Sequence, residues 1–139
     1  MALSGSLKLE GLGAEYNVLE CEYEFNQSVD SNGKPCAYPR GGFITFTILA
    51  PSEEDNLFHE WMMSKADVKG GTFTFPVTVG KEHKKKIVRF KYAYCIRLYE
   101  YFNNQSEMQM IMKITLSAAV ISFGNLKVVY NNNELLSLH

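Results

Sequence analysis

Alternation with a period of two governs most of this chain. From Leu19 to Phe25 the odd positions are Leu19, Cys21, Tyr23 and Phe25, and the even ones are Glu20, Glu22 and Glu24. Successive side chains of a strand point to opposite faces, so the spacing predicts a strand with one apolar and one acidic face; a helix would scatter the glutamates around its circumference. Ile44, Phe46 and Ile48 alternate with Thr45 and Thr47 in the same way, as do Phe73, Phe75, Val77 and Val79 with Thr74, Pro76 and Thr78. Pro76 has no N–H for a ladder, which places it at an edge or a bulge. Val88, Phe90, Tyr92, Tyr94, Ile96 and Leu98 read as one face of a long strand, with Arg89, Lys91 and Arg97 on the other. Met108, Met110, Met112, Ile114, Leu116, Ala118 and Val120 alternate with Gln109, Lys113, Thr115 and Ser117. Both runs exceed the usual strand length, so they are expected to bend, to carry a bulge or to project beyond the core. Shorter strands are expected from Ser6 to Leu9 and from Leu126 to Tyr130.

One segment breaks this rhythm. Ser52-Glu53-Glu54-Asp55 has the wording of an N-cap followed by an acidic first turn, and Leu57, Phe58, Trp61 and Met62 then recur at helical spacing. This predicts a helix from about Glu53 to Ser64, anchored on the strands by Leu57, Phe58 and Trp61. Hydrophobic residues make up 46% of the 139, enough for one core, and no repeat or linker divides the chain. The predicted fold is mainly β: a single domain over residues 1–139, a small antiparallel β-barrel of two packed sheets flanked by one α-helix.

Constellations that carry chemistry are missing. His59, His83 and His139 have no metal-ligand spacing between them, and no H-x-x-x-H or C-x-x-C occurs, so no metal site is expected. Cys21, Cys36 and Cys95 are odd in number and widely spaced, which suits neither a disulfide framework nor zinc. Cys21 and Cys95 lie in strand patterns and are expected as buried free thiols, Cys36 as an exposed loop residue. A Cys95–His59 nucleophile pair has no local mark in the sequence. Glu20, Glu22 and Glu24 are too alike in setting for an acid and a base, whose pKa values must be separated by contrasting environments. The aligned methionines are assigned to core packing. Lys81-Glu82-His83-Lys84-Lys85-Lys86 is read as a solvated hairpin turn. No catalytic residue and no cofactor is expected.

A net charge of −1 argues against a nucleic-acid binder and leaves little long-range repulsion to oppose self-association. The first residues, Met1-Ala2-Leu3-Ser4-Gly5-Ser6, have neither the basic nor the apolar region of a signal peptide, and no stretch reads as a membrane span. Folding in the cytoplasm is expected, with no membrane insertion and with export only through a dedicated machine.

The longest irregular stretch runs from Asn26 to Gly42, with turn signals at Asp30-Ser31-Asn32-Gly33 and prolines at Pro35 and Pro39. A loop of that length in a compact domain is usually functional or disordered.

Four stretches taken together carry a family resemblance. They are Tyr16 to Phe25 (YNVLECEYEF), continuing to Asp30-Ser31-Asn32-Gly33-Lys34-Pro35 and Pro39-Arg40-Gly41-Gly42; Asp55-Asn56-Leu57-Phe58-His59-Glu60-Trp61-Met62; Phe90-Lys91-Tyr92-Ala93-Tyr94-Cys95 with Tyr99-Glu100 and Phe102; and Ile114-Thr115-Leu116-Ser117-Ala118 with Gly124-Asn125. The wording resembles the hemolysin-coregulated (Hcp, or TssD) tube proteins of the type VI secretion system, in their Bacteroidetes branch. The resemblance implies a small barrel with one helix, assembled as a homo-hexameric ring. Rings would stack into a hollow tube that carries effectors, is propelled by a contractile sheath and is topped by a spike, with no active site and no cofactor. It also implies that the long loop reaches neighbouring subunits, with Asp30, Asn32, Gly33, Lys34, Pro39 and Arg40 as contact residues. The tail Asn131 to His139 departs from the family, which usually ends nearer an aromatic residue. Two other readings stand beside this one: the tail tube of another phage-like contractile particle, and a monomeric barrel for a small apolar ligand.

Overall fold

A computed structural model describes residues 5–25, 28–35, 42–105 and 109–129. The elements in order are β1 (Gly5–Leu9), β2 (Glu15–Tyr23), β3 (Phe43–Leu49), α1 (Leu57–Met63), β4 (Lys69–Val79), β5 (Glu82–Asn103), β6 (Gln109–Phe123) and β7 (Leu126–Val129). All strand pairings are antiparallel. They run β3-β2-β1-β4-β5-β6-β7, and a further pairing of β3 with β6 closes six of the strands into a ring. The predicted β-rich fold with one flanking helix is present, built from one continuous sheet folded over on itself.

Because the strands alternate in direction, their connections leave from two opposite ends. The β2–β3 connection, the β4–β5 turn and the β6–β7 turn share what is here termed the upper end. The β1–β2 turn, α1 and the β5–β6 turn share the lower end. Pro76 stands opposite Lys85 on a stretch of β4 that extends past its last pair with β1, Ser6 with Thr74, so its missing N–H leaves no ladder position unfilled there.

Three interruptions correct the simple alternation. In β2, Val18 pairs with Ile48 but Glu20 pairs with Thr47, so Leu19 is an extra residue. Before the bulge the inward residues are Tyr16 and Val18; after it they are Cys21 and Tyr23, while Leu19 itself is 50% exposed. In β5 the unbroken even-numbered face does not hold. Between Phe90 and Ala93 this strand has one residue more than β4, and Tyr92 takes a positive φ of 55°. A second extra residue against β6 falls at Ile96, which is exposed. The buried set therefore shifts from Val88 and Phe90 to Ala93 and Cys95, and then back to the half-buried Leu98. Of the aligned methionines, Met112 is buried, Met110 is exposed, and Met108 lies outside the described residues.

The helix is shorter than its predicted span. Ser52 accepts a bond from the Asp55 N–H at 2.9 Å, which holds residues 53 and 54 in a turn. Asp55 Oδ1 accepts from the Leu57 N–H at 3.1 Å and Oδ2 from the Tyr16 hydroxyl at 2.8 Å, so this carboxylate ties the start of α1 to β2. Asn56 occupies the N-cap position.

Phe46, Phe73 and Phe90 fill the core, and Phe58 of α1 joins them, its ring centroid 6.0 Å from Phe46 and 4.8 Å from Tyr16. Trp61 is fully buried. Its indole N–H is shared between the carbonyls of Ala93 and Asp67, each at 3.2 Å, and Lys69 Nζ sits 5.8 Å from its ring centroid. Gly71 allows Phe90 to lie across β4: a Cβ there would stand 2.8 Å from Phe90 Cζ and 2.9 Å from the Lys8 carbonyl.

Two stability measurements test this core. Trp61→Ala is expected to cost about 3–5 kcal/mol in urea unfolding, since it leaves a cavity and two carbonyls without their donor; a loss under about 1 kcal/mol would show that α1 does not depend on the indole. Gly71→Ala should cost about 1–3 kcal/mol through overpacking against Phe90, and a neutral result would mean that β1, β4 and β5 are not in close contact at this point.

Candidate assembly surfaces

The outer face of β2, β3, β6 and β5 is polar, and the registers arrange it in two rows. Glu22 pairs with Thr45, Thr45 with Thr115, and Thr115 with Arg97. Next to this row, Glu20 pairs with Thr47, Thr47 with Lys113, and Lys113 with Tyr99. The Thr45 and Thr115 hydroxyls hydrogen-bond each other at 3.0 Å, which fixes their shared face. Each row is acidic at β2, and basic charge stands at β6 or β5. Glu20, Cys21, Glu22, Thr45, Thr47 and Lys113 line a shallow depression on this surface. At its lower side Leu19, Tyr99, Tyr101 and Ile111 form an apolar shelf. The sequence showed the glutamates but not the rows they share with Lys113 and Arg97, because those residues are separated from them by tens of positions and are brought into line with them only through the β3–β6 and β5–β6 pairings.

The strands at either side of this sheet segment are incompletely paired. Among the described residues β2 has a partner on its β1 side only as far as Val18, and β5 has a partner on its β4 side only as far as Ala93. Among the described residues the four-stranded segment therefore has lateral edges at β2 and β5, with α1 packed against β5.

The expected contact residues in the loop fall into two groups. Asp30 organises a tight turn: its Oδ1 accepts from the Asn32 N–H at 2.9 Å and the Lys34 N–H at 3.0 Å, and its backbone N–H donates to the Lys34 carbonyl at 2.8 Å. Gly33 adopts a φ of 79°, in the left-handed region that favours glycine. Val29 and Pro35 bridge across this turn, and Val29 is 61% exposed. Pro39 and Arg40 lie outside the described residues, as does Cys36. On α1, Phe58 and Trp61 are buried and Leu57 is partly buried against the core.

Among the described residues the reactive side chains do not converge. His59 Nε2 is 2.5 Å from Glu100 Oε1, which joins α1 to β5, and its buried Nδ1 has no hydrogen-bond partner among the described residues. Cys95 directs its Sγ to Met62 Sδ and to the Arg97 carbonyl, at 4.0 and 3.9 Å, and not to His59. Burial pushes the Cys95 thiol up to about 11, a rise opposed by a backbone hydrogen bond from Arg97. Burial and then the charge of Glu22 push Cys21 up to about 12. Both thiols therefore stay protonated at neutral pH and are poor nucleophiles. Cys21 is only half-buried, unlike Cys95. Among the described residues no group of three His, Cys, Asp or Glu side chains is placed to hold a metal ion. No helix among them is long and apolar enough to cross a membrane.

The fold is similar to that of Hcp1 from Flavobacterium johnsoniae, with a TM-score of 0.76 and 27% sequence identity, over 92% of this chain and 100% of that one. It is also similar to a mutant Hcp1 from E. coli EAEC 042, with a TM-score of 0.68 at 13% identity over 91% and 96% of the two chains. The sheath–tube complex of an extracellular contractile injection system, PVC, matches with a TM-score of 0.50 at 16% identity over 91% and 89%. The latter two likenesses concern the fold alone. No curated protein sequence matches the chain significantly. The family model of hemolysin coregulated protein Hcp (TssD) matches residues 1–133, so nearly the whole of this chain belongs to the Hcp (TssD) family.

Proposed function

We propose that this protein is the repeating unit of the type VI secretion tube, a structural subunit with no catalytic role and no cofactor. Six copies close into a ring, and rings stack into a hollow tube that carries effectors, is driven by a contractile sheath and bears a spike. The observation that carries this reading is the β2-β3-β6-β5 segment, a polar surface bounded by two incompletely paired edges. β2 and β5 run in opposite directions, so β5 of one copy meets β2 of the next in antiparallel orientation when copies are related by rotation. The acidic ends of the rows at Glu20 and Glu22 then approach Arg97 of the neighbour. Repeating such a heterologous contact closes a ring when the rotation is right, and it covers the edges that would otherwise invite aggregation.

On this reading Leu57, Phe58 and Trp61 hold α1 in place while the sheet makes ring contacts. The loop residues Asp30, Asn32, Gly33, Lys34, Pro39 and Arg40 contribute to contacts between rings. The Asp30 turn supports that role, because a preformed turn loses less entropy on docking than a floppy one. The protein assembles in the cytoplasm and leaves through the machine it helps to build. The likeness to the extracellular injection system also supports a tube of another contractile particle; neighbouring genes for the sheath, spike and baseplate distinguish the two.

Sedimentation and electron microscopy of the purified chain at micromolar concentration are expected to show six-membered rings, and a persistent monomer would overturn the reading in favour of an isolated barrel. Replacing residues 30–40 with a short Gly-Ser linker should leave rings intact and weaken their stacking. Stacking equal to that of the parent would remove the loop from the ring–ring contact.

A further inference from the structure

The polar outer face of β2, β3, β6 and β5 ends in apolar residues at its lower side. Below the row of Glu20, Thr47, Lys113 and Tyr99, Leu49 pairs with Ile111 and Ile111 with Tyr101. Leu19, bulged out of β2, belongs to the same shelf, and Leu19, Tyr99 and Tyr101 are each about half exposed. The depression they border holds about 550 Å³, in the range of pockets that take a small ligand. Apolar surface rimmed by charge is the usual mark of a contact site.

The chain has a segment of its own placed to cover this shelf. β7 runs down along β6, from Leu126 opposite Phe123 to Val129 opposite Val120. It cannot follow β6 much further. The Ala118 N–H already donates to the Gly42 carbonyl at 2.7 Å, and from Ser117 downward that side of β6 is paired with β3. Ala118, Ala119, Val120 and Ile121 are all buried, so the core offers no room there either. A chain continued in the direction of β7 is left with the outer face, at the upper margin of the polar rows.

Ten residues follow Val129, and they lie outside the described residues. Val129 is level with Val120, so an extended chain brings Glu134 level with Thr115, Leu136 with Lys113 and Leu138 with Ile111, the last about 30 Å away by strand rise. Alternation sets Glu134, Leu136 and Leu138 on one face. Their order is that of the surface below. Thr115 shares its row with Arg97, while Lys113 and Ile111 border the shelf. An acidic residue thus meets the basic row, and two leucines meet the apolar one. The family match stops at residue 133, so Glu134 to His139 are this chain's own addition to the common pattern.

We propose that the C-terminal segment Asn131 to His139 lies down the outer face of its own chain, with Leu136 and Leu138 seated on Leu19, Tyr99, Tyr101 and Ile111 and Glu134 turned to Arg97. The contact is made within one chain and does not rest on the tube reading. A segment on so short a tether acts at high effective concentration, so burial of two leucines is enough to keep it seated. The tail is then a built-in occupant. Any other apolar segment that docks on this face has to displace it first, and the tail sets the affinity of the face for such partners.

Two measurements on the full chain test this. The first is binding of anilinonaphthalene sulfonate, a dye that reports exposed apolar surface. Leu136→Ser/Leu138→Ser should bind it several-fold more strongly than the parent, and adding Tyr99→Ser/Tyr101→Ser should remove the gain. Parent and tail variant that bind alike, or a gain that survives loss of both tyrosines, would overturn the proposal. The second keeps Tyr99 and does not depend on how β5 tolerates the double replacement. Tyr101→Cys/Leu138→Cys, in a Cys36→Ser background, is oxidised and its links are read by peptide mapping. Positions 101 and 138 should join within one chain, which keeps its monomer mass on a denaturing gel. A link between chains would put the tail on a second copy, and no link between these positions would put it elsewhere; either result overturns the contact.

Discussion

Pairing of β3 with β6 is the contact on which the rest of this architecture depends. The two strands are far apart in the chain, yet they are in register from Phe43 opposite Ser117 to Leu49 opposite Ile111. Without this ladder the strands would form an open sheet with β3 at one margin and β7 at the other. With it, the inward residues of opposite walls meet, so that Phe46 on β3 packs against Phe73 on β4. Burial of these aromatics compensates for closing so long a loop, a cost that grows only slowly with length. The same ladder sets Thr45 beside Thr115 and Thr47 beside Lys113, so the outer polar rows and the core share one cause.

Much of the fold was legible because period two survives in most of β3, β4 and β6. The failures are local and physical. A bulge inserts one residue without needing a particular residue type, so Leu19 and Ile96 look like inward residues in the sequence and point outward in the fold. Tyr92, a non-glycine at positive φ, gives no sequence signal at all. Small residues at 93 and 95 were the available hint: Ala93 and Cys95 fit beneath α1 where the tyrosines on either side would not. The helix starts four residues later than its sequence pattern predicts, because acidic residues before an apolar stripe suit a first turn and a preceding turn equally well. The competing arrangement, in which Asp55 bonds both Tyr16 and Leu57, depends on a strand distant in sequence.

The candidate surfaces were less legible than the fold. Single residues were visible, but the property that matters is where charges lie relative to one another. The glutamates of β2 read as a uniform acidic wall until the registers bring threonines, Lys113 and Arg97 into line with them. Long-range strand pairing converts local patterns into oriented surfaces, and no local pattern records that pairing.

The length of β5 has a mechanical side. One strand of 22 residues runs from the β4–β5 turn at the upper end to the β5–β6 turn at the lower end. Its ladder with β6 extends over most of that length, from Arg89 to Asn103. A force along the strand direction would load these hydrogen bonds in shear, all at once, and not peel them one after another. The bulge at Ile96 interrupts this ladder and the one at Tyr92 interrupts the ladder with β4; between them lies the carbonyl of Ala93 that accepts the Trp61 indole bond. The helix thus braces the strand where its ladders are irregular, which makes α1 a splint along a rod under tension.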